Sequence, residues 1–476
     1  MALAWKSPRS LLLRLRHWLL WPRPASGRPL PGAFRAPLAL AVFLLAVCQA
    51  AFPNRAAANG AFPDSMQIFV PADRPHEIIL ATNFGLIISE DDGTTWYWTC
   101  EPNPDANAFL YQMGPAPSDR LFAVLVANGL VYSDDLACSW STSGGALATA
   151  ITSDAFPDPT SASRVFAVAT ERGEGSASAL ASIYRSDDGG LTFGPALYTS
   201  PTGGGILGVE SAFSDPATVY VSAYGTAATG GGALDPILVA SSDGGEHWAG
   251  ADLAGSLGFN DFRIIAGDRA DPRRLFLRVL RINDSTPEKL AVSMDGGLTF
   301  QQPISVDDKL TSFVRLASGT VLVGANTVAG PVGFRSSDGG ATFQAWPNPP
   351  HLRAMAERGG ELFVAAQNFI DPYAVGVSTD EGLTFKGLLS YDQVKGIKPC
   401  VQTVCRDACD LLAGLTLWSP EVCAGTPSPK GGCGCRAGQD GEGDRGGVVA
   451  TLLGAAAMLF LAGRRGRGVR PRPPAG

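Results

Sequence analysis

The stretch "SSDGGATF", Ser336–Phe343, decides how this chain is read, because the chain writes it again and again. Close copies are "SEDDGTTW" (Ser89–Trp96), "SDDGGLTF" (Ser186–Phe193), "SSDGGEHW" (Ser241–Trp248), "SMDGGLTF" (Ser293–Phe300) and "STDEGLTF" (Ser378–Phe385). A worn copy, "SDDLACSW", spans Ser133–Trp140. Every position has a folding task in a β-turn. Asp91, Asp135, Asp188, Asp243, Asp295, Asp338 and Asp380 are expected to accept N–H bonds from the turn backbone. Gly93, Gly190, Gly245, Gly297, Gly340 and Gly382 can take positive φ without a Cβ clash. Ser89 and its counterparts bond locally, and the β-branched Thr opens the next strand. The closing aromatic (Trp96, Trp140, Phe193, Trp248, Phe300, Phe343 or Phe385) is expected to be buried against the neighbouring sheet. None of these tasks needs a substrate.

Apolar runs precede each box, among them "EIILAT", "RLFAVLVAN", "TVYVSAYG" and "ELFVAAQN". Each unit therefore reads as strand, strand, strand, box turn, strand. Box starts fall 44, 53, 55, 52, 43 and 42 residues apart. Such a period with four strands per unit predicts a propeller blade. Seven boxes predict an all-β, seven-bladed β-propeller over residues 59–395, whose blades bury their faces only by stacking in a ring.

The box resembles the Asp-box, or BNR repeat, of the sialidase-like superfamily. Relatives with such boxes include sialidases, xyloglucanase-type glycosidases, sortilin-type receptors and a photosystem assembly factor. The resemblance implies that the boxes lie on the rim, away from the ligand face. Function then has to be argued from other residues.

The formal net charge is −7, and the ends conceal more. Residues 1–58 carry eight basic and no acidic residues, and 464–476 carry five Arg and no acid. Without these, 24 basic residues face 44 acidic ones. An acidic middle lacks the basic footprint that nucleic acid needs.

Residues 1–58 read as a secretory signal, with a long basic start, the apolar "PLALAVFLLAVCQAAF" (Pro37–Phe52) and small residues Ala56–Ala58. Near the other end, residues 447–463 form a second apolar run, predicted to be a transmembrane helix, followed by a basic cytoplasmic tail, 464–476. A Gly-rich stalk, 426–446, precedes it and holds Cys433 and Cys435. This Cys-Gly-Cys, spacer, apolar helix and Arg cluster resemble the MYXO-CTERM tails of myxobacterial surface proteins. The resemblance implies sorting to the outer surface by a processing protease, with membrane anchoring before or after cleavage.

The remaining cysteines fit an oxidising compartment. Cys400, Cys405, Cys409 and Cys423 form a Cys-rich module, 396–425, expected to hold two disulfides in one of three connectivities. No CxxC pair supports a zinc site there. Cys100 and Cys138 are expected to bridge each other and to support the worn box, where Ala137 replaces the glycine.

No catalytic set is legible, and no cofactor or metal is expected. "FRII" (Phe262–Ile265) lacks the proline of the sialidase "FRIP". His247 occupies the Thr slot of a box and is read as structural. Asp261, Asp307 and Asp308 lie near inner strands and are the acids available for glycoside hydrolysis. The loops Gly173–Ser182 and Gly225–Pro236 are candidates for a binding face. The leading expectation is a non-catalytic surface protein that binds an extracellular protein or neutral glycan. A glycoside hydrolase and an envelope assembly factor are the alternatives.

Overall fold

A computed structural model describes residues 63–424, apart from 103–106, 126–128, 172–179, 202–203, 227–233, 259 and 284. The expected signal, stalk, sorting cysteines Cys433 and Cys435, apolar run 447–463 and basic tail lie outside these residues. Among the described residues no helix is long and apolar enough to cross a membrane.

Seven antiparallel sheets of consecutive strands follow one another along the chain. They begin at Ser65–Phe69, Ala108–Met113, Ile151–Pro157, Gly205–Ala212, Phe262–Gly267, Lys309–Arg315 and Leu352–Arg358, and are numbered blades 1 to 7. First strands of successive blades meet at five of the seven seams, so they form the inner ring. Second strands such as Ile78–Thr82 and Leu121–Leu125 are buried at every residue, because neighbouring blades cover both their faces. Seven apolar clusters result, one at each seam between blades. The propeller expected from the boxes is the observed architecture.

All seven boxes share one geometry. In the copy at Ser186, the Ser186 hydroxyl donates to Asp188 Oδ1 at 2.7 Å and accepts from Gly190 N at 2.8 Å. Thr192 N and Thr192 Oγ1 donate to the two oxygens of Asp188 at 2.9 and 2.5 Å. In the copy at Ser241, His247 replaces that Thr: its Nδ1 lies 2.7 Å from Asp243 Oδ2. The worn copy keeps the same bonds, yet Leu136 and Ala137 both stand at positive φ, 54° and 64°. At Gly340 a Cβ would lie 2.6 Å from Phe276 of the preceding blade, so the glycine also lets two blades approach. The box aromatics need a correction. Trp96 and Phe193 are buried, while Trp140, Trp248, Phe300, Phe343 and Phe385 are half-buried. Most of these pack at the seam with the preceding blade, at its outer rim, where covering is partial.

The disulfides also differ from expectation. Cys100 pairs with Cys405, Cys138 with Cys400, and Cys409 with Cys423. Cys100 and Cys138 do not bridge each other, and the group 400–423 holds only one internal bond. The reason is topological. After blade 7 the chain returns to blade 1, where Gly396–Ile397 pairs in parallel with Tyr97–Trp98 as a fifth strand. That return sets Cys400 and Cys405 beside blades 2 and 1. Helix α1 (Arg406–Gly414) and α2 (Glu421–Ala424) then lie on blade 1, with Trp418 against Trp98 at 5.3 Å and Phe84 at 6.1 Å. This segment shares one core with blades 7 and 1.

Candidate functional site: the central channel and its two mouths

Antiparallel order places all boxes, which join third to fourth strands, on one face with the turns joining first to second strands. The loops between second and third strands, and the blade-to-blade connections, lie on the opposite face, here the loop face. Gly173–Ser182 and Gly225–Pro236 join second to third strands and belong to that face, but they lie largely outside the described residues.

Every first strand slips register against its second strand by one residue, leaving Met66, Phe109, Ser153, Leu207, Ile265, Thr311 and Arg353 unpaired across the sheet. A bulge of this kind bends a strand and re-aims a side chain. Met66, Ile265, Thr311 and Arg353 line a channel cavity of about 290 Å³ together with Arg278. A second cavity of about 470 Å³ opens beside it between the turns of the box face.

In blades 1 and 3 the residue after the bulge reaches across to the next blade, and other polar side chains nearby do the same. Gln67 exchanges hydrogen bonds with Tyr111 N and O at 2.8 and 2.7 Å. Asp154 Oδ2 accepts from Val209 N at 3.2 Å. Glu210 accepts from Gly267 N, and Arg263 donates to Leu207 O at 3.0 Å. Glu288 receives Leu310 N at 2.7 Å, and Arg353 Nε donates to Asp64 at 2.8 Å. Polar side chains near the channel thus stitch blade to blade.

Burial between inner strands pushes the Asp154 carboxyl up to about 7, against the pull of Val209 N and the Arg263 charge. Burial and the nearby Asp154 push Glu210 up to about 8. At the box face, burial and a shared hydrogen bond with Asp73 push Asp119 up to about 6. None of these acids was singled out from sequence. Asp154 and Glu210 lie inside first strands, and Asp119 lies in the turn between the first two strands of blade 2.

The acids that sequence did single out are not gathered. Asp308 is 3.6 Å from Arg281, and Asp307 accepts from Val328 N at 3.3 Å. Burial raises the pKa of Asp261, which stands before the inner strand of blade 5. In "FRII", Phe262 is core and Arg263 belongs to the blade 4–5 tie. Among the described residues no group of three or more His, Cys, Asp or Glu is placed to hold a metal ion.

On the loop face, the second-to-third-strand loops of blades 5, 6 and 7 expose apolar side chains. Ile282 is 64% exposed, Val328 88%, Phe369 48% and Ile370 59%.

No protein-family model matches the chain, and no curated protein matches it by sequence. Among solved structures it is similar to a GH74 enzyme from Niastella koreensis, at 14% identity and TM-score 0.38, over 68% of this chain and 65% of that one. It is also similar to YCF48 from Cyanidioschyzon merolae, at 13% identity and TM-score 0.42, over 63% and 92%. A third is the β-propeller domain of the Trilobed protease from Pyrococcus furiosus, at 10% identity and TM-score 0.45, over 69% and 99%. The chain spans less than two thirds of the length of the GH74 enzymes it matches, 65% and 59%.

Proposed function

We propose that this is an exported, surface-anchored, non-catalytic propeller that binds an extracellular protein through its loop face. The observation that carries this reading is the set of exposed apolar side chains, Ile282, Val328, Phe369 and Ile370, on the same loop of three successive blades. Grouped exposed apolar surface marks interaction sites. Aliphatic groups outnumber aromatic ones there, which suits a protein better than a neutral glycan, whose sugar rings stack on aromatic faces. The channel acids support the reading too, since Asp154 and Glu210 are engaged in ties between blades. Their carboxyls are displaced in the same direction, whereas acid–base pairs in catalysis are displaced apart. Export agrees with three disulfides, which persist in oxidising compartments. The processing protease and the membrane are the further partners that the tail implies.

Glycoside hydrolysis is the second reading, favoured by the paired carboxyls Asp73 and Asp119 beside the larger cavity. One experiment separates the two. The purified protein is crosslinked on intact cell envelope and, in parallel, offered a polysaccharide panel. The binding reading expects one dominant crosslinked protein, lost when Val328, Phe369 and Ile370 become Ser and kept when Phe213 on the box face becomes Ser. Sugar release abolished by Asp119→Asn would replace it with the hydrolase.

A further inference from the structure

We infer that the Cys138–Cys400 bond is a thiol-exchange site, at which an external dithiol sets the rim of blade 2 in one of two states. The site does not depend on what the loop face binds. Access sets this bond apart from the other two disulfides. Cys400 is exposed and Cys138 half-buried. Both line a surface cavity of about 410 Å³, whose wall includes the exposed Glu90 and Pro399. Cys405, Cys409 and Cys423 are at most 1% exposed. The Cys409–Cys423 bond is therefore shielded on both sides. The Cys100–Cys405 bond offers only the half-buried Cys100, which packs against the core. Thiol–disulfide exchange follows the access that an attacking thiolate has to a sulfur.

The second observation is what this bond holds. Six boxes have glycine at their fifth place, each at positive φ. The worn box has Ala137 there at 64°, directly after Leu136 at 54°. Residues with a Cβ are disfavoured in that region, and no other box has two of them in succession. This turn is thus the most strained of the seven. Cys138 follows it directly, so the strained turn is the one that a disulfide clamps. The fourth strand after it, Ser141–Thr142, is only two residues long.

The exchange balances in two steps. A thiolate of the dithiol attacks Cys400 Sγ, the S–S bond breaks, and Cys138 leaves as a thiolate that takes up a proton. The second thiolate of the dithiol attacks the mixed disulfide and closes its own S–S bond, and Cys400 leaves and is protonated in turn. The protein gains two electrons and two protons, and the dithiol becomes a disulfide. The ring stays closed, since Gly396–Ile397 remains paired with Tyr97–Trp98 and Cys405 remains bonded to Cys100. The release is local. The worn box keeps the hydrogen bond from Lys398 Nζ to Leu136 O, at 3.2 Å, but loses its covalent tie to the returning segment. Its turn is then free to leave the positive-φ pair.

The test treats the full-length protein, its unpaired cysteines first blocked by alkylation, with dithiothreitol over time. New thiols are labelled and mapped by mass spectrometry. Cys138 and Cys400 are expected to be labelled together, about tenfold faster than either other pair. At that stage, hydrogen exchange is expected to quicken in Ser133–Thr142 and to stay slow in Tyr97–Thr99. Ala137→Gly is expected to be reduced as fast yet to keep slow exchange in Ser133–Thr142, because glycine holds the turn without a clamp. The inference is overturned if Cys100–Cys405 opens as fast as Cys138–Cys400, or if selective reduction leaves exchange in Ser133–Thr142 unchanged. It is also overturned if Ala137→Gly responds to reduction as the wild type does.

Discussion

At the scale of the residue, one hydroxyl does two jobs in every box. It donates to the Asp carboxylate and accepts from the amide four residues on. The carboxylate meanwhile accepts from Thr, so the Thr299 hydroxyl and amide hold Asp295 down to about 2. Ser186→Ala removes the hydroxyl's bonds to Asp188 and Gly190 and strands the buried Gly190 N–H. The expected cost is about 2 kcal/mol, read as a lower midpoint in urea unfolding. The variant should unfold with an unchanged denaturant slope. These roles were legible in the sequence because each partner lies within a few residues. The burial of the aromatic was less so, because its cover belongs to another blade.

At the scale of the element, the inner strand carries the information that the boxes lack. Its bulge turns one side chain toward the channel, and polar side chains near it reach the neighbouring blade. Asp154, next after the bulge of blade 3, and Glu210, three residues past that of blade 4, do so with carboxyls raised to about 7 and about 8, chiefly by burial. A carboxyl whose pKa rises on folding binds its proton more tightly in the folded state. Its stabilising contribution is complete below the ordinary carboxylate range and is lost as pH climbs through the raised value. Tm is therefore expected to fall between about pH 5 and about pH 8. Asp154→Asn, measured over the same range, should flatten that decline. The box carboxylates are displaced the other way, so their contribution is lost only toward strong acid. An unchanged slope in Asp154→Asn would show that the tie does not govern this pH response. Sequence reasoning passed over both acids, because a bulge leaves no mark in an alternating apolar pattern. It chose Asp307 and Asp308 instead, which lie on a blade-to-blade connection.

At the scale of the molecule, the four antiparallel strands of each blade come from one stretch of the chain, and Gly396–Ile397 returns from beyond blade 7 to close the ring as a fifth strand on blade 1. The seam between blades 7 and 1 is held by Arg353 and Asp64, by Ser65 bonded to both Tyr391 and Ala366 O, and by the returning segment. Cys400 and Cys405 fasten that segment to blades 2 and 1. Replacing Cys100, Cys138, Cys400 and Cys405 by Ser is expected to cost about 4–5 kcal/mol, given the length of the loops released. Hydrogen exchange should then quicken first in Ser65–Phe69 and Leu352–Arg358, the strands flanking the seam. The propeller was legible because its signal is written seven times. The clasp is written once, and nearest-neighbour reasoning paired Cys100 with Cys138. The same geometry has a consequence for how the chain is made. Synthesis runs from the N-terminus, so Cys100 and Cys138 emerge while both of their partners are still unmade. The bridge between these two closes the shortest loop then available, and short loops close at least entropic cost. A growing chain is thus drawn toward a bond that the finished protein does not hold, and thiol–disulfide exchange to the native pairs has to wait for Cys400 and Cys405.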